Sequence, residues 1–199
     1  MNRIKLISIV VLLVAAGIFF FIGKSGKAPA VSPKEAEFSP KNATYYIEGK
    51  AVTLVNGIAE TEAAPESAAK VTTRYFGNEV KHDLNDDGLE DVAFILTQET
   101  GGSGAFFYFV AALNTPTGYV GSQAVFLGDR IAPQTTGMEE GTTAMGSKRQ
   151  NVIVVNYAVR LPGEPMTASP SVGKSLWLKL DPITMQFGEV AKNFEGESR

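Results

Sequence analysis

The part of the chain with the clearest chemistry is a run of acidic and amide residues at positions 83–91. It reads Asp-Leu-Asn-Asp-Asp-Gly-Leu-Glu-Asp. Asp83, Asn85 and Asp87 are spaced two apart, so their side-chain oxygens can converge on one point when the chain curls. Calcium is a hard cation that takes roughly six to eight oxygen ligands. The spacing therefore predicts a calcium-binding loop.

The remaining residues of the run supply the turn and the last two ligands of such a loop. Gly88 stands where a sharp turn is required, and glycine adopts positive φ at little cost. The backbone carbonyl of Leu89 and the carboxylate of Asp91 are predicted to complete the shell. An EF-hand would place a bidentate Glu at the twelfth position, but Phe94 stands there, within a strand-like run. The loop is therefore not an EF-hand.

The pattern D-x-N-x-D-G-x-x-D resembles the calcium loops of FG-GAP and VCBS repeats, in which the motif is followed by a strand. This chain continues in that way at 91–95 and carries one copy, so a full propeller of repeats is not expected. The resemblance covers about fifteen residues. It implies a calcium ion held between two strands by the following ligands: Asp83, Asn85, Asp87, the Leu89 carbonyl and Asp91.

A longer stretch, 42–195, is similar to uncharacterised bacterial envelope proteins that carry such a loop. The similarity includes the segments 72–77 and 127–131. In related proteins this region can precede a META-type domain, and no such domain is expected within residues 1–199. The resemblance brings no established activity with it.

The alternative to a metal site is a polar hairpin turn built from Asp, Asn and Gly without a cation. Carboxylates crowded into one loop repel one another unless a positive charge neutralises them. Calcium is favoured over magnesium because a flexible shell of protein oxygens suits the larger ion. Asp86 and Glu90 are predicted to point away from the cation into solvent.

The N-terminus has the composition of a membrane anchor. Residues 6–23 form eighteen positions without a charge, which at about 1.5 Å per residue just span a hydrocarbon core of roughly 30 Å. Arg3 and Lys5 favour keeping the N-terminus in the cytoplasm. We therefore predict a single-pass protein of the cell membrane with its C-terminal domain outside the cytoplasm.

A cleaved signal peptide is the alternative for this segment, since 28–30 reads Ala-Pro-Ala. In that case the protein is secreted. Residues 24–41 are rich in Pro, Lys and Ser and contain one large apolar residue, Phe38, which predicts a linker. The division predicted is thus an anchor at 1–23, a linker at 24–41 and a domain at 42–199.

The domain is predicted to be mainly β, as one antiparallel sheet or sandwich. Short apolar runs alternate with turn residues, and no stretch keeps a helical period. The predicted strands are 45–54, 71–80, 92–97, 105–113, 119–127, 151–159, 175–180 and 185–190. Asn56-Gly57 predicts a tight turn, and 92–97 and 105–113 are expected to pair as a hairpin.

The amino-acid composition excludes several classes of site and partner. The chain has no cysteine, so disulfides and thiolate metal sites are excluded. Residues 1–27 contain four basic side chains and no acidic one, so the rest of the chain carries a more negative net charge than the −3 of the whole. A negatively charged domain argues against nucleic acid as a partner. We expect a non-catalytic calcium-binding module with a structural, adhesive or ligand-binding role. An envelope hydrolase that uses carboxylates or the metal is the alternative.

Overall fold

The computed structural model describes residues 38–63, 69–139 and 150–190, which all fall within one compact unit, Lys34–Arg199. The predicted membrane span at 6–23 and most of the predicted linker lie outside the described residues. Within those residues, no helix is long and apolar enough to cross a membrane.

The described part of the chain is built from strands and one turn of 3-10 helix. In chain order the elements are η1 Pro40–Asn42, β1 Thr44–Ile47, β2 Lys50–Thr53, β3 Ile58–Glu62, β4 Lys70–His82, β5 Asp91–Glu99, β6 Phe106–Thr115, β7 Gly118–Gly121, β8 Val125–Asp129, β9 Ala132–Met138, β10 Val152–Val159, β11 Val172–Asp181 and β12 Gln186–Glu189. The predicted mainly β, antiparallel class is confirmed.

Three sheets make up the fold, and every pairing between these strands is antiparallel. The largest has six strands in the order β3-β4-β5-β6-β7, with β8 also pairing with β6. A four-stranded sheet has the order β12-β11-β10-β9, and β1 and β2 form a separate hairpin. The six-stranded sheet is thus built around the predicted pair of β5 and β6.

Two hydrophobic cores lie on opposite faces of the six-stranded sheet. Side chains alternate between faces along a strand, so β5 and β6 contribute to both cores. Ile95 and Phe109 pack with Ile153 and Leu178 of the four-stranded sheet. On the other face, Phe94, Leu96 and Val110 pack with Tyr45, Ile47, Val52 and Leu54 from the β1–β2 hairpin and the residues that follow it. The three sheets therefore form layers, with the six-stranded sheet in the middle.

Several predicted strand boundaries differ from the observed ones. The run predicted as one strand at 45–54 is a hairpin, turned by Glu48 and Gly49 at φ 51° and 77°. The run predicted as 119–127 is divided between β7 and β8. Positive φ at both central residues is typical of the two-residue hairpin turn, and Asn56 and Gly57 show it as predicted.

The fold begins a few residues before the predicted domain boundary at 42. The backbone N–H of Gly57 donates a 2.8 Å hydrogen bond to the Lys41 carbonyl, and the Lys41 ammonium lies 4.0 Å from the centre of the Tyr75 ring. The Tyr45 hydroxyl donates to the Pro40 carbonyl. The last residues of the predicted linker are therefore part of the β domain.

Candidate calcium site

The acidic loop joins two long strands of the central sheet. β4 ends at His82 and β5 begins at Asp91, and these two residues are paired in the sheet. The loop turns at two positions with positive φ, Asp86 at 62° and Gly88 at 87°. The turn predicted at Gly88 is confirmed, and the second turn at Asp86 uses one of the few non-glycine residue types that tolerate this region.

The side chains of the loop are ordered by hydrogen bonds from its own backbone. The Asp83 carboxylate accepts from the N–H of Asp87 at 3.1 Å and from that of Gly88 at 2.7 Å. The Asn85 side-chain oxygen also accepts from Asp87 N–H at 3.1 Å, and the Asp87 carboxylate accepts from Leu89 N–H at 2.8 Å. The first three predicted ligands are therefore held together on the inside of one turn.

Asp91 is the most buried of the predicted ligands, with 0% of its surface exposed. One oxygen accepts from Leu84 N–H at 2.9 Å, and the other accepts from Asn114 N–H at 2.7 Å. A buried carboxylate has to be compensated in this way, because an unpaired buried charge is costly. Asp91 thus ties the loop to the end of β6, a structural role in addition to any role as a ligand.

Two carboxylates of the loop have shifted pKa values. Burial raises the pKa of Asp91, the hydrogen bonds from Asn114 and Leu84 oppose this, and the negative charges of Asp87 and Asp83 raise it further. For Asp83, loss of solvation acts to raise the pKa, but hydrogen bonds from the loop backbone outweigh it and hold the pKa below its usual range. The charges of Asp83 and Asp87 therefore act on Asp91.

The donors fit calcium in chemical type, since every predicted ligand offers a hard oxygen. The arrangement of these oxygens is less complete than a metal shell requires. Across residues 38–63, 69–139 and 150–190, no group of three or more His, Asp or Glu side chains is arranged to hold a metal ion. The Asn85 amide also donates to the Asp87 carboxylate at 2.9 Å. Calcium would therefore compete with hydrogen bonds inside the loop.

Two asparagines outside the loop also contact it, and no sequence pattern pointed to either. Asn114 in β6 supplies the N–H to Asp91, and its side chain donates to the Glu90 carbonyl at 3.4 Å. Asn151, directly before β10, donates to the Leu84 carbonyl and to the Asp86 carboxylate, each at 3.2 Å. The loop is therefore linked both to the central sheet and to the four-stranded sheet.

Acidic side chains outside the predicted shell have other partners. Glu90 lies 3.7 Å from the Lys81 ammonium, and both are largely exposed. Asp129 pairs with Arg130 at 2.6 Å, and its carboxylate also accepts from Ala105 N–H at 2.9 Å. Asp129 is therefore engaged by Arg130 and by the Ala105 backbone.

Comparison of the chain with protein-family models, with curated proteins and with solved structures finds no match. The resemblance to FG-GAP and VCBS loops consequently stays a prediction from the motif. The chemistry of the loop and its contacts are what point to a function.

Proposed function

We propose that this protein is a non-catalytic, calcium-stabilised β module, held outside the cytoplasm by the apolar segment at 6–23. The observation that carries the proposal is the crowding of Asp83, Asp87 and Asp91 in a loop whose backbone orders their oxygens. Without a cation, their mutual repulsion opposes the folded loop. Calcium would relieve that repulsion and favour the native state.

The contacts of the loop define what calcium would stabilise. Asp91 is bonded to the end of β6, and Leu84 is bonded through its carbonyl to Asn151 beside β10. A cation on the loop would therefore fix the point at which two sheets meet. This role suits an envelope protein without cysteine, in which no disulfide can cross-link the layers.

A structural role is favoured over the hydrolase alternative by the way the carboxylates are used. Both oxygens of Asp91 and both of Asp83 accept backbone hydrogen bonds, which fix the loop. A hydrolytic metal centre needs an open coordination position facing a cleft. The loop hydrogen bonds instead connect backbone segments, as a structural site requires. The module would then serve structure, adhesion or ligand binding in the envelope.

The test is thermal unfolding of the full chain in mild detergent, with calcium and with a chelator. For a dissociation constant of about 10⁻⁴ to 10⁻³ M, a few millimolar calcium should add about 1 to 2 kcal/mol. Asp87→Asn should weaken the response, because it keeps an oxygen but removes one negative charge from the shell.

Asp86→Asn is the matched control, since it makes the same change one residue away. Asp86 has positive φ, which asparagine also tolerates. This variant should keep the calcium response. If both variants respond as the parent does, or if the parent does not respond, the assigned site is wrong.

A further inference from the structure

A second candidate site lies on the face of the central sheet that the β1–β2 hairpin covers. It is a recess of about 290 Å³ beside the turn of the β1–β2 hairpin, away from the calcium loop. Its lining consists of three aromatic rings, one carboxylate and two neutral polar side chains: Phe106, Tyr108, Phe126, Glu48, Gln98 and Thr100.

The strand register explains why these side chains meet. Phe106 and Tyr108 are two apart in β6 and share a face. Tyr108 is paired with Phe126 of β8, and Phe106 is paired with Gln98 of β5. Paired residues of antiparallel strands project on the same side of the sheet. The three rings therefore come from the paired strands β6 and β8, beside an irregularity in their register between Phe107 and Tyr108, while Glu48 and Thr100 lie outside the strands.

The rings form a corner rather than a flat platform. Phe126 is 54% exposed, and its ring centre lies 5.3 Å from that of Tyr108 and 6.4 Å from that of Phe106. The planes are inclined at 50° and 44°. Phe126 is therefore inclined to both of its neighbours, and these three rings form no single flat surface. The face of an aromatic ring attracts cations.

Glu48 provides the charge of the recess. It is at the turn of the β1–β2 hairpin, and its carboxylate accepts a 3.0 Å hydrogen bond from the Tyr108 hydroxyl. Burial, together with Glu48, raises the pKa of Tyr108 to about 12, so the phenol keeps its proton at neutral pH. Among the described residues, no Lys or Arg lies within ion-pair distance of Glu48. Lys50 lines an adjoining recess that also contains Glu62 and that shares Glu48 and Gln98 with this one.

We infer that this corner of Phe106, Phe126 and Glu48 binds a weakly hydrated organic cation, such as a quaternary ammonium group or an arginine guanidinium. Both ions lose little hydration on contact with aromatic faces. The carboxylate supplies the opposite charge, and Gln98 and Thr100 offer polar contacts to the remainder of the ligand. The inference is independent of calcium, since none of these residues belongs to the loop.

The experiment is a ligand-observed NMR titration of the full chain in mild detergent. Choline and N-acetyl-arginine amide are the two cationic probes, and they distinguish a small quaternary ammonium from an arginine side chain. 3,3-Dimethylbutanol is the uncharged isostere of choline. We expect at least one cation to bind and the isostere to bind at least about fivefold more weakly, consistent with a cation–π contribution of this size.

Two variants and their matched controls locate the site. Glu48→Gln and Phe126→Leu should each weaken binding by about three- to tenfold. Glu189→Gln makes the same change of charge in the four-stranded sheet, and Phe76→Leu removes a similarly exposed ring from outside the recess; both should bind as the parent does. Binding of the isostere as tight as that of the better cation, no binding of either cation, or unchanged binding by Glu48→Gln would overturn the inference. The circular dichroism spectrum of each variant verifies that it is folded.

Discussion

At the scale of single residues, Asp91 differs from the other predicted ligands. Its position in the motif predicts a ligand, while its complete burial and its bonds to Leu84 and Asn114 show that it also supports the fold. The spacing of the motif could identify the loop residues because they are neighbours in the chain. It could not identify Asn114 or Asn151, because only the pairing of distant strands brings them to the loop.

This difference leads to a prediction for Asp91→Ala in the presence of a chelator. The change leaves the buried Leu84 N–H and the partly buried Asn114 N–H without an acceptor, at a cost of about 1 to 3 kcal/mol for the buried donor and less for the other. Relief of the repulsion from Asp83 and Asp87 offsets part of this cost. We expect the free energy of unfolding, measured with urea, to fall by at least about 2 kcal/mol.

Asp87→Ala is the comparison, because the Asp87 side chain is exposed. Within the described residues, its carboxylate accepts a backbone hydrogen bond from the Leu89 N–H alone. Its loss should cost less than about 1 kcal/mol in chelator. Equal stability of the Asp91 and Asp87 variants would show that Asp91 has no separate structural role.

At the scale of elements, the sequence predicted the most apolar strands best and missed β3 and β9. β5, β6 and β10 are rich in large apolar residues and were found at nearly their observed positions. β9 was missed because it reads Ala-Pro-Gln-Thr-Thr-Gly-Met, which has little strand signal. Its pairing with β10 and a bond from the Asn78 side chain to the Gln134 carbonyl determine its conformation. Tertiary contacts therefore override local preference there.

The contact between β7 and the β1–β2 hairpin depends on a glycine. A Cβ at Gly121 would overlap the Thr44 carbonyl oxygen and lie 2.7 Å from the Tyr45 ring. Gly121→Ala should therefore push the hairpin off the central sheet and lower the free energy of unfolding by about 2 to 3 kcal/mol. Chemical unfolding measures this change.

Gly137→Ala in β9 is the control for this variant. No atom lies within 4 Å of the position that its new methyl group would occupy, and the φ of Gly137 is not positive. Its stability should match the parent within about 0.5 kcal/mol. A parent-like Gly121→Ala would mean that the hairpin does not pack closely on β7.

At the scale of the whole molecule, the layers explain why one small loop can matter for stability. The central sheet buries both of its faces, one against the hairpin and the other against the four-stranded sheet. The loop at 83–91 contacts the central sheet through Asn114 and the four-stranded sheet through Asn151. Binding of an ion to the loop would therefore stabilise the packing of these two layers by mass action.

The central claim is that calcium binds this loop, and calorimetric titration of the full, folded chain with calcium tests it most directly. We predict one saturable site with a dissociation constant of about 10⁻⁴ to 10⁻³ M, retained by Asp86→Asn and weakened in Asp87→Asn. Absence of a binding isotherm at millimolar calcium, with the parent protein folded, would contradict the claim.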